Sequence, residues 1–435
     1  MSMAVTAYKG IVIHSVALGE LEILNPGLIG VGDDGKIVFV IDLAAQQLES
    51  VKFDKLVDHG DKILIPGFVD GHAHAPQYSF LGVGMHLPLL DWLNTFTFPH
   101  EANFVDPAYA RNMFSKAVKR HVVHGTTTCS YFATIHLEAC KVLADIVHDI
   151  GQRGYLGKVN MDRHAPPELT ETTDGSLRDT RAFIEYVATK QTPLITPVIT
   201  PRFVPNTTTT LMHGLAQLSN EHKLPIQSHL SENMKEVEWV RELYPDCSTY
   251  AEVYDRHGLM TERTYMAHCI WCSQDERSMI KSRGSGIIHC PTSNFSLSSG
   301  VLNVRRLIKE GVKVGLGTDV SAGYSTSMLD AIRHAVIASK VTSMTSPEDA
   351  PLTYAEAFHL ATLGTAECLG LGNVIGNFLP TKELDMLVVD LKSHDTNVDH
   401  HDHDDILSQF QKFLFLGDDR NITSIYVRGR LIHSR

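Results

Sequence analysis

The chain has 435 residues, of which 43% are hydrophobic and 20% are charged, and its formal net charge is -12 at pH 7. A chain of this length can bury a sizeable core, so we expect a globular protein with one large catalytic domain or a domain with an appendage. The acidic balance argues against partners such as nucleic acid or an anionic membrane, because no basic run could neutralise phosphates, and a small neutral substrate fits better.

Cysteine usage and the N-terminus indicate the compartment. The seven cysteines are scattered and odd in number, unlike the disulfide framework of a secreted protein. Residues 1–8 lack the basic region and apolar stretch of a signal peptide, and no window approaches the ~20 apolar residues of a membrane span. We therefore expect a reducing compartment and a cytoplasmic protein.

Short strands are predicted at both ends of the chain. The candidates are 27–31 and 36–41 around the turn 32–35, then 385–391 and a hairpin within 424–432 that turns at 428–430. Both ends could share one sheet. We predict a small β-sandwich domain formed by residues 1–66 and 376–435.

The long middle part of the chain alternates short apolar runs with helical stretches, which is the spacing of βαβ units. The candidate strands are 65–70, 126–131, 155–162, 194–200, 225–228, 264–267, 286–289 and 312–316. This pattern predicts an α/β fold in which residues 67–375 form a (β/α)8 TIM-like barrel.

Reactive polar residues follow several of these predicted strands. They are His72, Arg202, His229, His268, Asn294 and Asp319. Because the strand ends of such a barrel converge on one face, residues far apart in sequence should meet there around one pocket.

The segment 66–74 ends in His72 and His74, whose separation by one residue puts both imidazoles on the same face of a strand. Such a pair can hold a metal. Neutral imidazole suits zinc, and zinc with one open position lowers the pKa of a bound water to about 7. Hydrolytic chemistry is the first hypothesis, and a solvated pair of histidines at a strand end is the alternative.

Two further metal ligands are predicted downstream. His229 lies where a strand gives way to a helix that begins near Glu232, and Asp319 closes a segment whose small residues allow close approach to an ion. The alternatives are a core histidine with its hydrogen bonds satisfied at His229 and a helix N-cap beside Ser321 at Asp319.

Hydrolysis also requires a group that carries a proton to the leaving group. Glu232, three residues after His229, is the candidate, and a simple first-turn helix carboxylate is the alternative. His268 could bind the metal or polarise the attacking water. Spacing does not separate these roles, and we favour the second.

At this point the sequence resembles the amidohydrolase superfamily, through the segment 66–74, His229, His268 and the Gly-Thr-Asp triplet that ends at Asp319. Narrower motifs, at 74–78, 87–93, 96–99, 200–203, 229–233, 289–294, 297–300 and 415–421, resemble the guanine deaminase family. The resemblance spans nearly the whole chain.

The resemblance implies zinc-dependent hydrolysis of guanine to xanthine and ammonia by a homodimer. It implies one zinc per subunit on His72, His74, His229 and Asp319, and catalysis by Glu232, His268 and Asp319. It implies substrate contacts from Gln77, Arg202, Phe203, His229, Glu232 and Asp319. This set suits a purine, because a guanidinium fork matches a carbonyl, an amide matches the ring edges and an aromatic ring matches the flat face.

Some alternatives stay open on the sequence. The chain could be a sister deaminase or chlorohydrolase that acts on another amino-substituted heterocycle, or a non-catalytic barrel scaffold. A second metal is not expected, because relatives with two ions often use a modified lysine on the fourth strand and 194–200 contains none. The His/Asp-rich run 399–405 is interpreted as a solvated loop, and the Cys269/Cys272 pair as core packing.

Overall fold

The computed structural model describes residues 4–435. The strands are β1 Val5–Ala17, β2 Glu20–Gly32, β3 Ile37–Asp42, β4 Lys55–Pro66, β5 Phe68–His74, β6 Thr126–Phe132, β7 Arg153–Gly157, β8 Val159–Asn160, β9 Ile195–Pro197, β10 Thr200–Pro201, β11 Ile226–Leu230, β12 Thr264–His268, β13 Gly286–His289, β14 Lys313–Leu316, β15 Met386–Val389, β16 Ile422–Val427 and β17 Arg430–Ser434.

The α-helices are α1 Leu89–Trp92, α2 Phe98–Ala102, α3 Pro107–Val123, α4 Leu137–Ile150, α5 Thr173–Ala188, α6 Thr209–His222, α7 Met234–Leu243, α8 Tyr250–Arg256, α9 Gln274–Arg283, α10 Pro291–Ser296, α11 Val304–Glu310, α12 Met328–Thr345, α13 Tyr354–His359, α14 Thr365–Cys368 and α15 Ile406–Leu416. Two π-helical turns, Leu93–Thr97 and Leu360–Gly364, continue α1 into α2 and α13 into α14. Short 3-10 turns lie at Leu48–Ser50, Ala75–Phe80, Asn103–Val105, Pro167–Leu169, Val204–Asn206 and Asp419–Asn421.

The two ends of the chain form one seven-stranded sheet in the order β17-β16-β15-β4-β1-β2-β3. Strand β4 pairs parallel with β1 and antiparallel with β15, so the last residues before the first predicted metal-binding motif are held from both sides. The tight turn between β2 and β3 contains Gly35 at φ +80, where a Cβ would lie 2.3 Å from the carbonyl oxygen of Arg428. The predicted hairpins are therefore present, and both ends share a sheet. Within residues 4–435, no second sheet faces this one as a β-sandwich requires, so the sandwich stays a prediction.

The middle of the chain forms two four-stranded parallel sheets, β5-β6-β7-β9 and β11-β12-β13-β14. A parallel bridge between Ile199 and Ile226 joins one pair of edges. On the other side, the amide of Asp319 donates to the carbonyl of His72 (2.8 Å), and the amide of His74 donates to the carbonyl of Val320 (2.7 Å). The α/β character is confirmed, and the carboxyl ends of β5 and β14 are brought together.

The strand boundaries differ from the predicted ones at several places. Strand β11 runs through Leu230 and β12 through His268, so His229 and His268 lie in strands and not past their ends. The first strand, β5, begins after Pro66 and runs through His74, so both histidines lie in the strand and not past its end. The third and fourth predicted strands each divide into two short pieces, β7 with β8 and β9 with β10. Pro197 and Pro201 end β9 and β10, which is consistent with the missing amide of proline in a ladder.

Helices cover the sheets with apolar faces, as α4 shows. Ala139, Leu143 and Val147, each four residues apart, are buried on one side of this helix. Burial of a side chain such as Leu143 stabilises the fold by about 1.5–3 kcal/mol. The helix ends at Gly151, whose φ of 85 is a left-handed conformation that glycine adopts without strain.

Several smaller predictions can be compared with the structure. Cys269 and Cys272 are buried in the largest apolar cluster, as expected of core packing. All seven cysteines lie within the described residues and are free. The 399–405 run is mostly exposed, as expected of a solvated loop. Between residues 4 and 435, no helix combines the length and the apolar character that a bilayer span requires.

Candidate active site

The four predicted metal ligands converge at the carboxyl ends of the parallel strands. The Nε2 atom of His74 lies 3.2 Å from that of His72 and 3.1 Å from that of His229. The Oδ1 atom of Asp319 lies 3.2 Å from Nε2 of His72 and 3.5 Å from Nε2 of His74. Segments separated by more than two hundred residues thus place three ring nitrogens and one carboxylate oxygen around one point.

This donor set fits a divalent cation. The Nδ1 atom of His229 lies 2.6 Å from the carbonyl oxygen of Arg202, to which it donates. The Nε2 lone pair of His229 therefore points into the cluster, as in most metal-binding histidines. Burial lowers the pKa of both His74 and His229, which favours the neutral rings that bind metals. A cation between these atoms would satisfy the lone pairs that burial leaves without water.

The backbone explains why small residues surround Asp319. A Cβ at Gly317 would lie 3.0 Å from the Cβ and from the backbone nitrogen of His72, so a side chain there would push the two segments apart by a few tenths of an ångström. Asp319 itself has φ 49, and the helix that follows, α12, is capped by Ser327. The alternative interpretation of Asp319 as a helix N-cap is therefore wrong.

Asp70 holds the segment that contains Asp319 in place through hydrogen bonds. Its Oδ1 accepts hydrogen bonds from the amides of His72 (3.2 Å) and Thr318 (3.0 Å), and its Oδ2 accepts one from the Thr318 hydroxyl (2.5 Å). Burial raises the pKa of Asp70 to about 7. Asp70 therefore holds the strand that carries His72 against the segment that carries Asp319.

His268 lies beside the predicted metal ligands, with Nε2 3.7 Å from Oδ2 of Asp319 and 3.5 Å from Oε2 of Glu232. Its Nδ1 contacts Oδ1 of Asn294 at 3.0 Å, which fixes the ring orientation. Burial acts to lower the pKa of His268, but the charges of Glu232 and Asp319 raise it above its ordinary value. Its Nε2 is buried without a hydrogen-bond partner among the described residues, so it is available to a small polar molecule.

Glu232 is placed by the start of α7. Its amide donates to Oε2 of Glu236 (3.0 Å), and Asn233 and Glu236 form a capping box at the helix N-terminus. The Ser299 hydroxyl donates to Oε1 of Glu232 at 3.1 Å. Burial raises the pKa of Glu232 to about 7. A carboxyl group with this pKa can both accept and release a proton near neutral pH.

The predicted helix start near Glu232 is two residues early, because Asn233 is the cap and α7 begins at Met234.

A pocket opens next to this cluster. It is lined by His74, Gln77, Leu89, Trp92, Leu93, Arg202, Phe203, His229, Glu232, Glu236, Asp319 and Ala322. All six predicted substrate-binding residues are among them. The apolar side comes from the 89–97 helical segment, and the ring of Phe203 is backed by Trp239 of α7 at 6.2 Å between centroids. The structure places the predicted residues together, while their roles stay predictions.

The sequence did not predict the role of Glu101 in α2. Its carboxylate accepts from Arg202 twice, at 2.6 Å to Nη1 and 3.1 Å to Nη2, and from Nε2 of Gln77 at 3.2 Å. The amide of Ser321 donates to Oε1 of Gln77 at 3.1 Å. Nothing in the sequence around Glu101 distinguishes it from an ordinary helix carboxylate. The only available signal was that a buried arginine needs an acidic partner.

Comparison with protein families gives one match that covers most of the chain. Residues 63–432 match the model of the amidohydrolase family. The guanine deaminase of Dictyostelium discoideum is 44% identical over 98% of this chain and 97% of its own length. The guanine deaminase of Mus musculus is 43% identical over 98% and 96% of the two chains.

Solved structures agree with this match. A guanine deaminase from C. acetobutylicum with bound guanine superposes with a TM-score of 0.92 at 38% identity, covering 99% of this chain and 100% of that one. The E. coli guanine deaminase gives a TM-score of 0.88 at 32% identity, covering 99% of each chain. The fold that carries the site is therefore shared with these enzymes along the whole chain.

Proposed function

We propose that this chain, which belongs to the amidohydrolase family and within it to the guanine deaminases, hydrolyses guanine to xanthine and ammonia. The observation that best supports this function is a single pocket in which the proposed metal-binding cluster and a buried carboxyl group lie next to a polar rim. Gln77 and Arg202 form that rim, and Glu232 is the carboxyl group. The Dictyostelium and mouse relatives, 44% and 43% identical over 98% of the chain, support guanine as the substrate.

We infer that the two parallel sheets form one closed (β/α)8 barrel over residues 67–375. The Ile199–Ile226 bridge and the backbone hydrogen bonds from β5 to the segment after β14 support closure. We assign residues 1–66 and 376–435 to the predicted β-sandwich domain, supported by their shared seven-stranded sheet.

The metal in this proposal is one Zn²⁺ per subunit, which His72, His74, His229 and Asp319 would hold. His74 lies within 3.5 Å of each of the other three side chains, and this proximity, with the mixture of imidazole nitrogens and a carboxylate, supports zinc. When bound, zinc lowers the pKa of a water at its open position to about 7.

The chain's own residues bind and orient the base. The Arg202 guanidinium keeps unused N–H groups that can donate to a purine carbonyl, and the Gln77 amide can pair with the ring edge. Phe203 offers an aromatic surface to the flat base. The apolar wall at Leu89 and Trp92 excludes water from the other side. These contacts hold the ring carbon that bears the amine next to the metal-binding cluster.

Glu232 then moves protons in this proposal. The oxygen of water adds to the ring carbon that bears the amine, and Glu232 takes a proton and delivers it to the ring nitrogen. Asp319 helps to accept the second proton of the water, and His268, within 3.7 Å of both carboxylates, orients the water. Proton delivery to the amine releases ammonia, the carbon–nitrogen bond breaks, and the carbonyl of xanthine forms.

Family resemblance also leads us to infer a homodimer that acts in purine catabolism in the cytoplasm. The seven free cysteines are compatible with a reducing compartment. Light scattering of the purified protein tests the dimer directly.

A substrate panel tests the function. We expect the zinc-loaded protein to release ammonia from guanine and to be at least about a hundredfold less active, in kcat/KM, on adenine, adenosine, cytosine and amino-triazines, since the pocket's polar groups would be left unpaired. Release of ammonia from one of these heterocycles, with guanine untouched, would overturn the assignment of Gln77 and Arg202. Zinc-loaded protein that is inactive on the whole panel would favour the non-catalytic scaffold.

A further inference from the structure

We propose that Glu101 sets the charge of the base pocket and makes it select neutral purines over anionic ones. Glu101 does not line the pocket, so it acts through Arg202 and Gln77 as a positioning residue. The inference rests on the proposed function, in which Arg202 faces the purine.

Glu101 and Arg202 form a buried ion pair. Glu101 is 2% exposed and Arg202 is 3% exposed. Two hydrogen bonds join them, at 2.6 and 3.1 Å, and the guanidinium also lies over the ring of Phe98 at 5.3 Å. Removing one partner of such a pair leaves a charge without compensation in the interior. The pair therefore brings no net charge to the rim of the pocket.

The same carboxylate fixes the direction of Gln77. Its Oε1 accepts from Nε2 of Gln77, while the Oε1 of Gln77 accepts from the amide of Ser321. These two hydrogen bonds settle which end of the Gln77 amide is the donor. One carboxylate thus orients both polar side chains that we assign to the edges of the base.

The chemistry of the reaction makes charge selection useful. Guanine is neutral at neutral pH, whereas xanthine is a stronger acid that forms a monoanion near neutrality. A guanidinium without a carboxylate, in a pocket shielded from water, would attract the anion more strongly than the neutral base. With Glu101 in place, the anion gains no net attraction at the rim, so the product leaves more readily.

The test measures binding, apart from turnover. Dissociation constants of zinc-loaded protein are determined by calorimetry at mildly alkaline pH for xanthine, mostly an anion, and hypoxanthine, mostly neutral. Glu101→Gln keeps the size of the side chain and removes its charge. We expect it to lower the ratio of Kd for xanthine to Kd for hypoxanthine at least about tenfold. Glu101→Asp, which keeps the charge, should leave this ratio within about threefold of the wild-type value.

Arg202→Gln tests the same proposal independently if Glu101→Gln does not fold. Arg202→Gln leaves the Glu101 carboxylate unpaired, and this negative charge should repel the xanthine anion, so the ratio of Kd for xanthine to Kd for hypoxanthine should rise. The double variant with both glutamines has neither charge, and its ratio should return towards the wild-type value. Equal weakening of both purines in every variant would overturn the proposal, because it would show a merely structural role. Ammonia release from guanine by the wild-type protein tests the proposed function separately.

Discussion

At the scale of single residues, Ser299 is the group that tunes the proposed proton carrier. Its hydroxyl donates to Glu232 and lowers the pKa of that carboxyl against the larger effect of burial. We expect Ser299→Ala to raise the pKa of Glu232 by about one to two units, since a hydrogen bond to a charged group contributes about 1.5–3 kcal/mol. Because Glu232 must be deprotonated to accept a proton, the acid limb of kcat/KM should move to higher pH.

Ser299→Thr is the matched control, because it keeps the hydroxyl. The measurement is the pH dependence of kcat/KM for guanine in the three proteins. An acid limb that stays at the same pH in Ser299→Ala, or moves to lower pH, would contradict this role.

Individual site residues could be predicted from sequence to the extent that local motifs carry them. His72 and His74 share a strand face, and His229 and Asp319 follow apolar runs, so short patterns indicated all four. Glu101 could not be predicted, because its partner Arg202 is 101 positions away and a buried ion pair leaves no local periodicity. The hydrogen bond from Ser321 to Gln77 uses a backbone amide, which any residue but proline would supply.

At the scale of elements, the N-terminus of α7 determines where Glu232 points. The Asn233 side chain caps the helix, and Glu236 closes the capping box and binds the amide of Glu232. We expect Asn233→Ala to cost about 0.5–2 kcal/mol of stability. It should also lower kcat severalfold, since fraying of this turn releases Glu232.

Ser273→Ala is the control for this effect. Ser273 and Glu276 form the same capping box at the start of α9, and neither residue lines the substrate pocket. Chemical denaturation should show a similar loss of stability in both variants, while guanine kinetics should change only in Asn233→Ala. Equal kcat values in the two variants would show that the cap of α7 does not position Glu232.

The types of the elements could be predicted from the sequence, but the residues at which each strand begins and ends could not. The predicted first strand ended at residue 70, whereas β5 extends through His74. Ala73 and His74 pair with β6, and the amide of His74 bonds to the carbonyl of Val320. That bond joins segments more than two hundred residues apart, so no local pattern indicates it. Breaks in the third and fourth strands depend on Pro197 and Pro201, whose positions in the ladder become clear only with the pairing known.

At the scale of the whole molecule, His359 couples the terminal sheet to the helices around the site. Its Nδ1 lies 2.8 Å from the hydroxyl of Ser15 in β1, and burial lowers its pKa from 6.5 to about 4. Above about pH 6.5 the ring is neutral in both the folded and the unfolded states. As the pH falls towards 4, the unfolded chain binds a proton that the folded protein does not, so stability falls, by up to about 3 kcal/mol.

His359→Gln removes this proton binding and keeps a polar side chain of similar length. We expect its free energy of unfolding, from urea titrations at about pH 7 and about pH 4.5, to fall less on acidification than that of the wild-type protein. Acid release of the metal affects both proteins alike, so the difference between them isolates His359. Identical pH dependence in both proteins would contradict the prediction.

The joining of the two chain ends in one sheet was predictable from their matching strand patterns, but the strand order was not. The order places β4 between β1 and β15, a mixture of parallel and antiparallel neighbours that depends on long-range pairing. Buried charges such as Arg153, which binds Glu383 and Asp385, attach this sheet to β7. A hydrophobic pattern carries no information about such pairs.

The most direct measurement is ammonia release from guanine by the native protein and by Glu232→Gln, with the zinc content of both determined. We predict about one zinc per chain in each protein, together with a loss of at least about a thousandfold in kcat for the variant, since the amide cannot carry a proton. A variant that keeps both its zinc and its full rate would show that Glu232 is not the proton carrier and would contradict the account.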